Sequence, residues 1–166
     1  MSGFEPGSAR VLGLHPTTRG FGWVVFEGVF KPVDWGLVSA RGDKNAVCLR
    51  RLKRLLDRFE PEVLVLEAFD PDTTRRARRI ARLCGAMLQI ADDRGVESII
   101  YCRADIRAAF AAVKATTRRQ IAEAVARHLE PFRHRLPPPR RPWESEDARE
   151  ALFAAAAVVL THQRQG

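Results

Sequence analysis

Apolar positions along the chain fall into two rhythms, and the changes between them mark out the elements. Val11 to Phe26 reads VLGLHPTTRGFGWVVF, two dense apolar runs joined through Pro16, Thr17, Thr18, Arg19 and Gly20, which is the pattern of two strands and a tight connection. Val33 to Ala40 (VDWGLVSA) is a third β-prone run, and Gly28 and Pro32 bracket the turn before it, so the first 40 residues predict an antiparallel meander. The period then lengthens. From Asn45 to Phe59, Val47, Leu49, Leu52, Leu55, Leu56 and Phe59 recur at three- and four-residue spacing, with Arg50, Arg51, Lys53 and Arg54 between them. This predicts an amphipathic helix with a basic outer face, ended by Pro61. VLVL at 63 to 66 is a short continuous run of the buried-strand kind and closes on Glu67. A helix is expected behind Asp72 or Thr73 as N-cap, with Ile80, Leu83, Cys84, Met87, Leu88 and Ala91 as its inner stripe. Val96 to Tyr101 predicts a fifth strand and Asp105 to Val113 a short helix. Thr117 to Gln120 has the spacing of a capping box, ahead of Ile121, Ala124, Val125, His128 and Leu129. Pro131 to Pro142 is too rigid and polar for a core element, and Ser145 can cap a last helix running to about His162. Residues 1–9 are expected to be a frayed lead and residues 10–166 a single α/β domain.

Charge adds a partner class. Lys and Arg number 28 against 20 Asp and Glu, a net charge of +8 and a pI near 10.4, which favours a polyanion such as nucleic acid or an anionic membrane surface. No apolar run approaches the roughly 18 residues of a membrane span. The opening MSGFEPGSAR lacks the basic-then-apolar order of a secretory signal, so a cytoplasmic location without membrane contact is expected. Cys48, Cys84 and Cys102 form no Cys-x-x-Cys pair and are expected to be reduced filler within apolar segments.

Candidate chemistry gathers at strand ends. His15 closes the first strand and Glu67 the fourth, at the carboxyl edge where open α/β sheets place their sites, while Glu146, Asp147 and Glu150 fall in the first turns of the last helix. Several carboxylates converging on one pocket suit two hard divalent cations held about 3.5 to 4 Å apart, which activate the attacking water and stabilise the leaving oxygen of a phosphodiester. Plainer readings stand beside this one. A strand-end His is often just hydrogen-bonded, a strand-end Glu can face solvent, and acids in a first helical turn are favoured by the dipole, which suffices for Glu146. Asp147 and Glu150 are spaced to share one helical face. Asp70 and Asp72 suit the turn and cap before the second helix. Arg75, Arg76, Arg78, Arg79 and Arg82 form either a solvated face or, with the overall charge, a phosphate-contacting one. Trp143 is expected to pack as a lid on a stiff linker, and Phe21 and Phe69 to pack in the core.

The chain resembles the RuvC-type Holliday-junction resolvases of the RNase H-like (retroviral-integrase) superfamily. The family's opening motif, Gly-Ile-Asp-Pro-Gly-x-x-x-x-Gly-Tyr, is similar to the stretch Gly13 to Trp23, its Ile-Glu to Leu66-Glu67, and its closing Asp-Ala-x-Asp-Ala-Leu to Asp147 through Leu152. Its Tyr, basic residue and Lys-x-Gln-Val stretch look like Tyr101, Arg107 and Arg118 to Ile121. The resemblance implies a mixed five-stranded sheet, antiparallel in its first three strands, with helices on both faces. It also implies a branched-DNA partner and a homodimer through the helix Thr74 to Asp93. The implied catalytic and metal set is His15, Glu67, Asp147 and Glu150, with Mg²⁺ or Mn²⁺ if the protein is active, and the phosphate contacts fall to Arg19, Arg75, Arg76, Arg79, Arg107 and Arg118.

The departures bear on activity. His15 replaces the family's first-strand Asp, Thr17 the Gly after it, and Ala115-Thr116-Thr117 a Gly-rich turn. A neutral imidazole offers one lone pair and cannot bridge two Mg²⁺ ions as a carboxylate does. Three readings follow: a resolvase-like binder of branched DNA whose two-metal cleavage is lost or weakened, an active structure-specific endonuclease using Mn²⁺ or another ion that accepts imidazole, and a non-catalytic module for RNA or protein. On the sequence alone, His15→Asp is expected to raise Mg²⁺-dependent nicking.

Overall fold

A computed structural model of the chain describes residues 9–68, 75–141, 143–144 and 147–165, with the backbone alone at 75 and 76. The expected caps Asp72, Thr73 and Ser145, together with Asp70, Phe69, Thr74, Glu146 and the side chains of Arg75 and Arg76, lie outside the described residues, as does nearly all of the 1–9 lead. The strands are β1 (Arg10–Pro16), β2 (Gly20–Glu27), β3 (Pro32–Ser39), β4 (Val63–Glu67) and β5 (Glu97–Tyr101). The helices are α1 (Lys44–Phe59), α2 (Arg75–Asp93), α3 (Arg103–Phe110), α4 (Arg118–His128) and α5 (Glu150–Gln165), with short 3₁₀ turns at Ala111–Val113 and Glu130–Phe132.

These strands make one five-stranded sheet in the order β3-β2-β1-β4-β5. β1, β2 and β3 pair antiparallel, as the tight connections between them require, whereas β4 joins β1 and β5 joins β4 in parallel through the helical crossovers α1 and α2. Side chains alternate between the two faces. Leu12, Leu14, Leu64 and Leu66 point into a core closed by α1 and α2, through Leu52, Leu56, Leu83 and Met87. Val11, Val24, Phe26 and Val65 point the other way, onto Phe153, Ala155, Val159 and the helices α3 and α4. α5 is the most apolar of the helices because it lies against the middle of the sheet, with Ala155, Ala156 and Val159 fully buried. Among the described residues no helix is long and apolar enough to cross a membrane.

Local signals in the sequence are realised in detail. Asp43 caps α1 by accepting from the Ala46 amide at 3.2 Å. At α4 the Thr117 hydroxyl accepts from the Gln120 amide at 3.1 Å while the Gln120 side chain accepts from the Thr117 amide at 3.2 Å. Three expectations need correction. Cys102 is exposed at the start of α3, where its amide donates to Asp105 Oδ2 at 2.9 Å, so it belongs to a helix cap rather than an apolar segment. His128 is exposed and stacks on Phe30 instead of facing the core. Trp143 is 76% exposed, with the Arg141 guanidinium over its ring, so it is not a packed lid.

Candidate nucleic-acid interface

Strand alternation puts His15 and Glu67 on the same sheet face. His15 follows Val11 and Gly13 on β1, Glu67 follows Val63 and Val65 on β4, and the register Leu14 to Leu66 brings the two strand ends level. Tyr101 stands level with Glu67 on β5 and shares a 2.7 Å hydrogen bond with His162 Nδ1, tying that edge of the sheet to α5. Glycine brings the remaining helix end close. Gly22 sits opposite His15 on β2, and a Cβ there would lie 2.6 Å from the carbonyl carbon and oxygen of Ala151, so only glycine lets the start of α5 lie this near the end of β1.

The electrostatics at this edge are set by arginine. Arg118, at the start of α4, faces Glu67 at 3.7 Å; the Glu67 side chain is 11% exposed and that of Arg118 58%. Burial lowers the His15 pKa from 6.5 to about 4, and the positive fields of Arg118 and then Arg103 act in the same direction. Arg103 opens α3 directly after β5, and its own pKa is lowered first by burial and then by Arg118, with Arg107 adding further repulsion. Asp147 is gripped by Arg149, whose Nη2 and Nε donate to the carboxylate at 2.8 and 3.0 Å and whose amide donates at 2.9 Å. Those hydrogen bonds hold its carboxyl below the usual carboxylate range. Arg19 is exposed in the β1–β2 turn and acts on the same carboxylate through its charge. That turn does not need the family's glycine, because the Thr17 hydroxyl accepts from the amides of Arg19 and Gly20 at 3.2 Å and no left-handed residue occurs there.

His15, Glu67, Asp147 and Glu150 are therefore ordered along one edge but not gathered: among the described residues no group of three or more His, Cys, Asp or Glu side chains stands close enough to hold a metal ion. The edge presents guanidinium groups instead, and Arg103 belongs with them although sequence reasoning passed over it. Its signal was position, the second residue beyond a parallel strand on the edge that carries His15 and Glu67. Of the other expected phosphate contacts, Arg107 and Arg118 are exposed here, whereas Arg79 is half-buried, with Nη1 and Nη2 donating to Asn45 Oδ1 and to the Thr18 carbonyl at 3.1 and 3.2 Å.

The half-buried imidazole has a measurable consequence. The unfolded chain takes up this proton near pH 6.5 and the folded one only near pH 4, so the unfolded state binds more protons between those values and stability falls as the pH drops through that window. Allowing for the partial exposure of the ring, the loss amounts to about 2 kcal/mol. Melting curves from neutral pH down to 4 are expected to show Tm falling more steeply for the wild type than for His15→Gln, which has no proton to take up. Parallel slopes would show that His15 is not held neutral by its surroundings.

The layer order, the mixed sheet and the helix lying across it define an RNase H-like α/β fold. The chain is similar to Thermus thermophilus RuvC in complex with a Holliday junction substrate, at 20% identity and TM-score 0.69, over 93% of both chains. It is similar to Thermus thermophilus RuvC also at 21% identity and TM-score 0.67, over 93% of this chain and 92% of that one. The yeast mitochondrial Holliday junction resolvase Ydc2 follows at 12% identity and TM-score 0.62, over 96% of this chain and 82% of that one. No family model and no curated protein matches the sequence.

Proposed function

We propose that this chain is a RuvC-like nucleic-acid-binding protein that recognises branched or structured DNA, as a homodimer through α2, and that has lost two-metal cleavage. The observation that carries the reading is the pairing at the sheet edge. Arg118 stands against Glu67, Arg149 holds Asp147, and His15 is subject to the positive fields of Arg118 and Arg103, so three of the four positions the resemblance gives to metal ligands are met by guanidinium charge. Guanidinium is suited to phosphate, which it meets through paired N–H donors, and it gives an edge that attracts DNA but does not bind and activate the attacking water as a metal ion does. Arg19, Arg103, Arg107 and Arg118 are the contacts at this edge. The solved structure of a similar chain with a Holliday junction supports branched DNA as the partner class.

Fluorescence anisotropy on a four-way junction, the matching duplex and single strands tests the substrate class, with tightest binding expected for the junction. Equal affinity for all of them, or preference for RNA, overturns the branched-DNA reading. The ion pairs also revise what one substitution can do. His15→Asp supplies a carboxylate, but beside Arg118 and Arg103 it gains cationic neighbours, and Asp147 remains held by Arg149. The variant is therefore expected to stay inert on junctions in Mg²⁺ and Mn²⁺ while folded and binding. A nicked product on a denaturing gel would show that the edge can still gather metal ligands.

A further inference from the structure

A second basic feature lies away from the sheet edge, in a cleft of about 500 Å³ between the start of α1 and the first turns of α2, lined by Asp43, Lys44, Asn45, Arg79 and Arg82 among others. Lys44 Nζ and Arg79 Nη2 both donate to the carbonyl oxygen of Thr18, at 2.9 and 3.2 Å. A neutral carbonyl draws the two cations together without cancelling either charge, and among the described residues none of Lys44, Arg79 and Arg82 has a carboxylate partner within ion-pair distance. Asn45 fixes Arg79 from the other side, donating to its carbonyl oxygen at 3.2 Å and accepting from its guanidinium at 3.1 Å. The charges of Lys44 and Arg79 are therefore positioned by the fold, and Arg82 adds an exposed guanidinium beside them. Burial raises the Cys48 thiol pKa and the fields of Arg79 and then Lys44 oppose that rise, so both cations act on the same thiol. Asp43 is the acidic group at the rim, and its Oδ1 is engaged as the cap of α1.

We propose that this cleft is a phosphate site, which seats one backbone phosphate of the bound nucleic acid between Lys44, Arg79 and Arg82. Three cations of ammonium and guanidinium type with a neutral amide beside them match a tetrahedral oxyanion better than they match a cationic or apolar ligand. The location explains why a second site would help. Thr18 follows His15 by three residues, so the carbonyl oxygen at the cleft floor lies within about 10 Å of the end of β1. A strand gripped by Arg103 and Arg118 would pass over the Thr17 to Arg19 turn and enter the cleft, which fixes its direction across the protein. The assignment of the phosphate to nucleic acid rests on the function proposed above; the affinity of the cleft for phosphate does not.

Two measurements separate those claims. With inorganic phosphate as probe, amide resonances of Lys44, Asn45 and Ala46 in the full chain are expected to shift saturably, and Lys44→Gln with Arg82→Gln is expected to abolish the shift. With a four-way junction, the same double variant is expected to bind about tenfold more weakly at moderate salt and to lower the slope of log affinity against log salt by about one to two. Lys53→Gln, an exposed cation further along α1, is expected to change the affinity less than twofold. Amide shifts without any junction binding would keep the phosphate site and overturn the nucleic-acid function. Junction binding that the double variant leaves unchanged, or amides that ignore phosphate, would overturn the site. A double variant no more affected than Lys53→Gln would reduce the cleft to general surface charge.

Discussion

Exchanging Arg103 and Arg118 together for Gln is expected to weaken junction binding about a hundredfold, since each charge-assisted contact with phosphate contributes roughly 1.5 kcal/mol and a factor of ten is 1.4 kcal/mol. The salt slope should fall by about two, one unit for each phosphate no longer neutralised. The fold should tolerate the change. Arg118 is 58% exposed and meets Glu67 only at 3.7 Å, so losing that pair costs about 1 kcal/mol or less, and removing Arg103 relieves its repulsion with Arg118. Anisotropy titrations at several salt concentrations, with a melting curve for each variant, distinguish loss of contact from loss of structure. An affinity within threefold of the wild type would remove these arginines from the interface.

Gly22→Ala is expected to be strongly destabilising for a change of one methyl group. The added Cβ would stand 2.6 Å from the Ala151 carbonyl, and α5 cannot simply step back, because Gly13 lies equally close beneath it, with the Ala155 carbonyl oxygen 2.6 Å from where a Cβ would be. Overpacking against backbone on this scale costs about 3 kcal/mol, which for a domain of this size lowers Tm by roughly 6 to 12 °C. The start of α5 would be pushed off β2 next to His15, so junction affinity should fall together with stability. Gly85 is the matched control. It sits inside α2 with nothing within 4 Å of a Cβ, so Gly85→Ala should be neutral or stabilise by up to about 1 kcal/mol. Equal melting temperatures for the two variants would contradict the packing of α5 described here.

The contrast between those glycines shows where sequence reasoning reached and where it stopped. Strand runs, the 3.6-residue stripes of α1 and α2 and the capping box at Thr117 are local patterns, so they could be read before any contact was known. So could the arrival of His15 and Glu67 at the carboxyl edge, because strand length and alternation fix which residue ends up there. The partners of those residues are set by long-range packing. Arg118 is 51 residues from Glu67, Arg79 is 61 residues from the Thr18 carbonyl it holds, and neither distance leaves a trace in periodicity. A run of arginines on α2 reads as one solvated or phosphate-facing stripe, yet Arg79 is drawn under the β1–β2 turn while Arg82 stays exposed. Trp143 misled for a related reason: an aromatic in a proline-rich stretch usually packs back on its own domain, and here its ring is met by Arg141 and solvent. Carboxylates aligned by motif looked like a ligand set. Whether they act as one depends on which cations the fold puts beside them.

That dependence sets the decisive measurement. Wild-type protein should be incubated with an end-labelled four-way junction under single-turnover conditions in EDTA, Mg²⁺ and Mn²⁺, and the retained complex and the cleaved strands should be measured from the same samples. Guanidinium groups in place of a gathered ligand set predict a complex of equal affinity in EDTA and in either metal, and intact strands throughout. Nicked strands that appear with Mg²⁺ or Mn²⁺ and vanish with EDTA would contradict it.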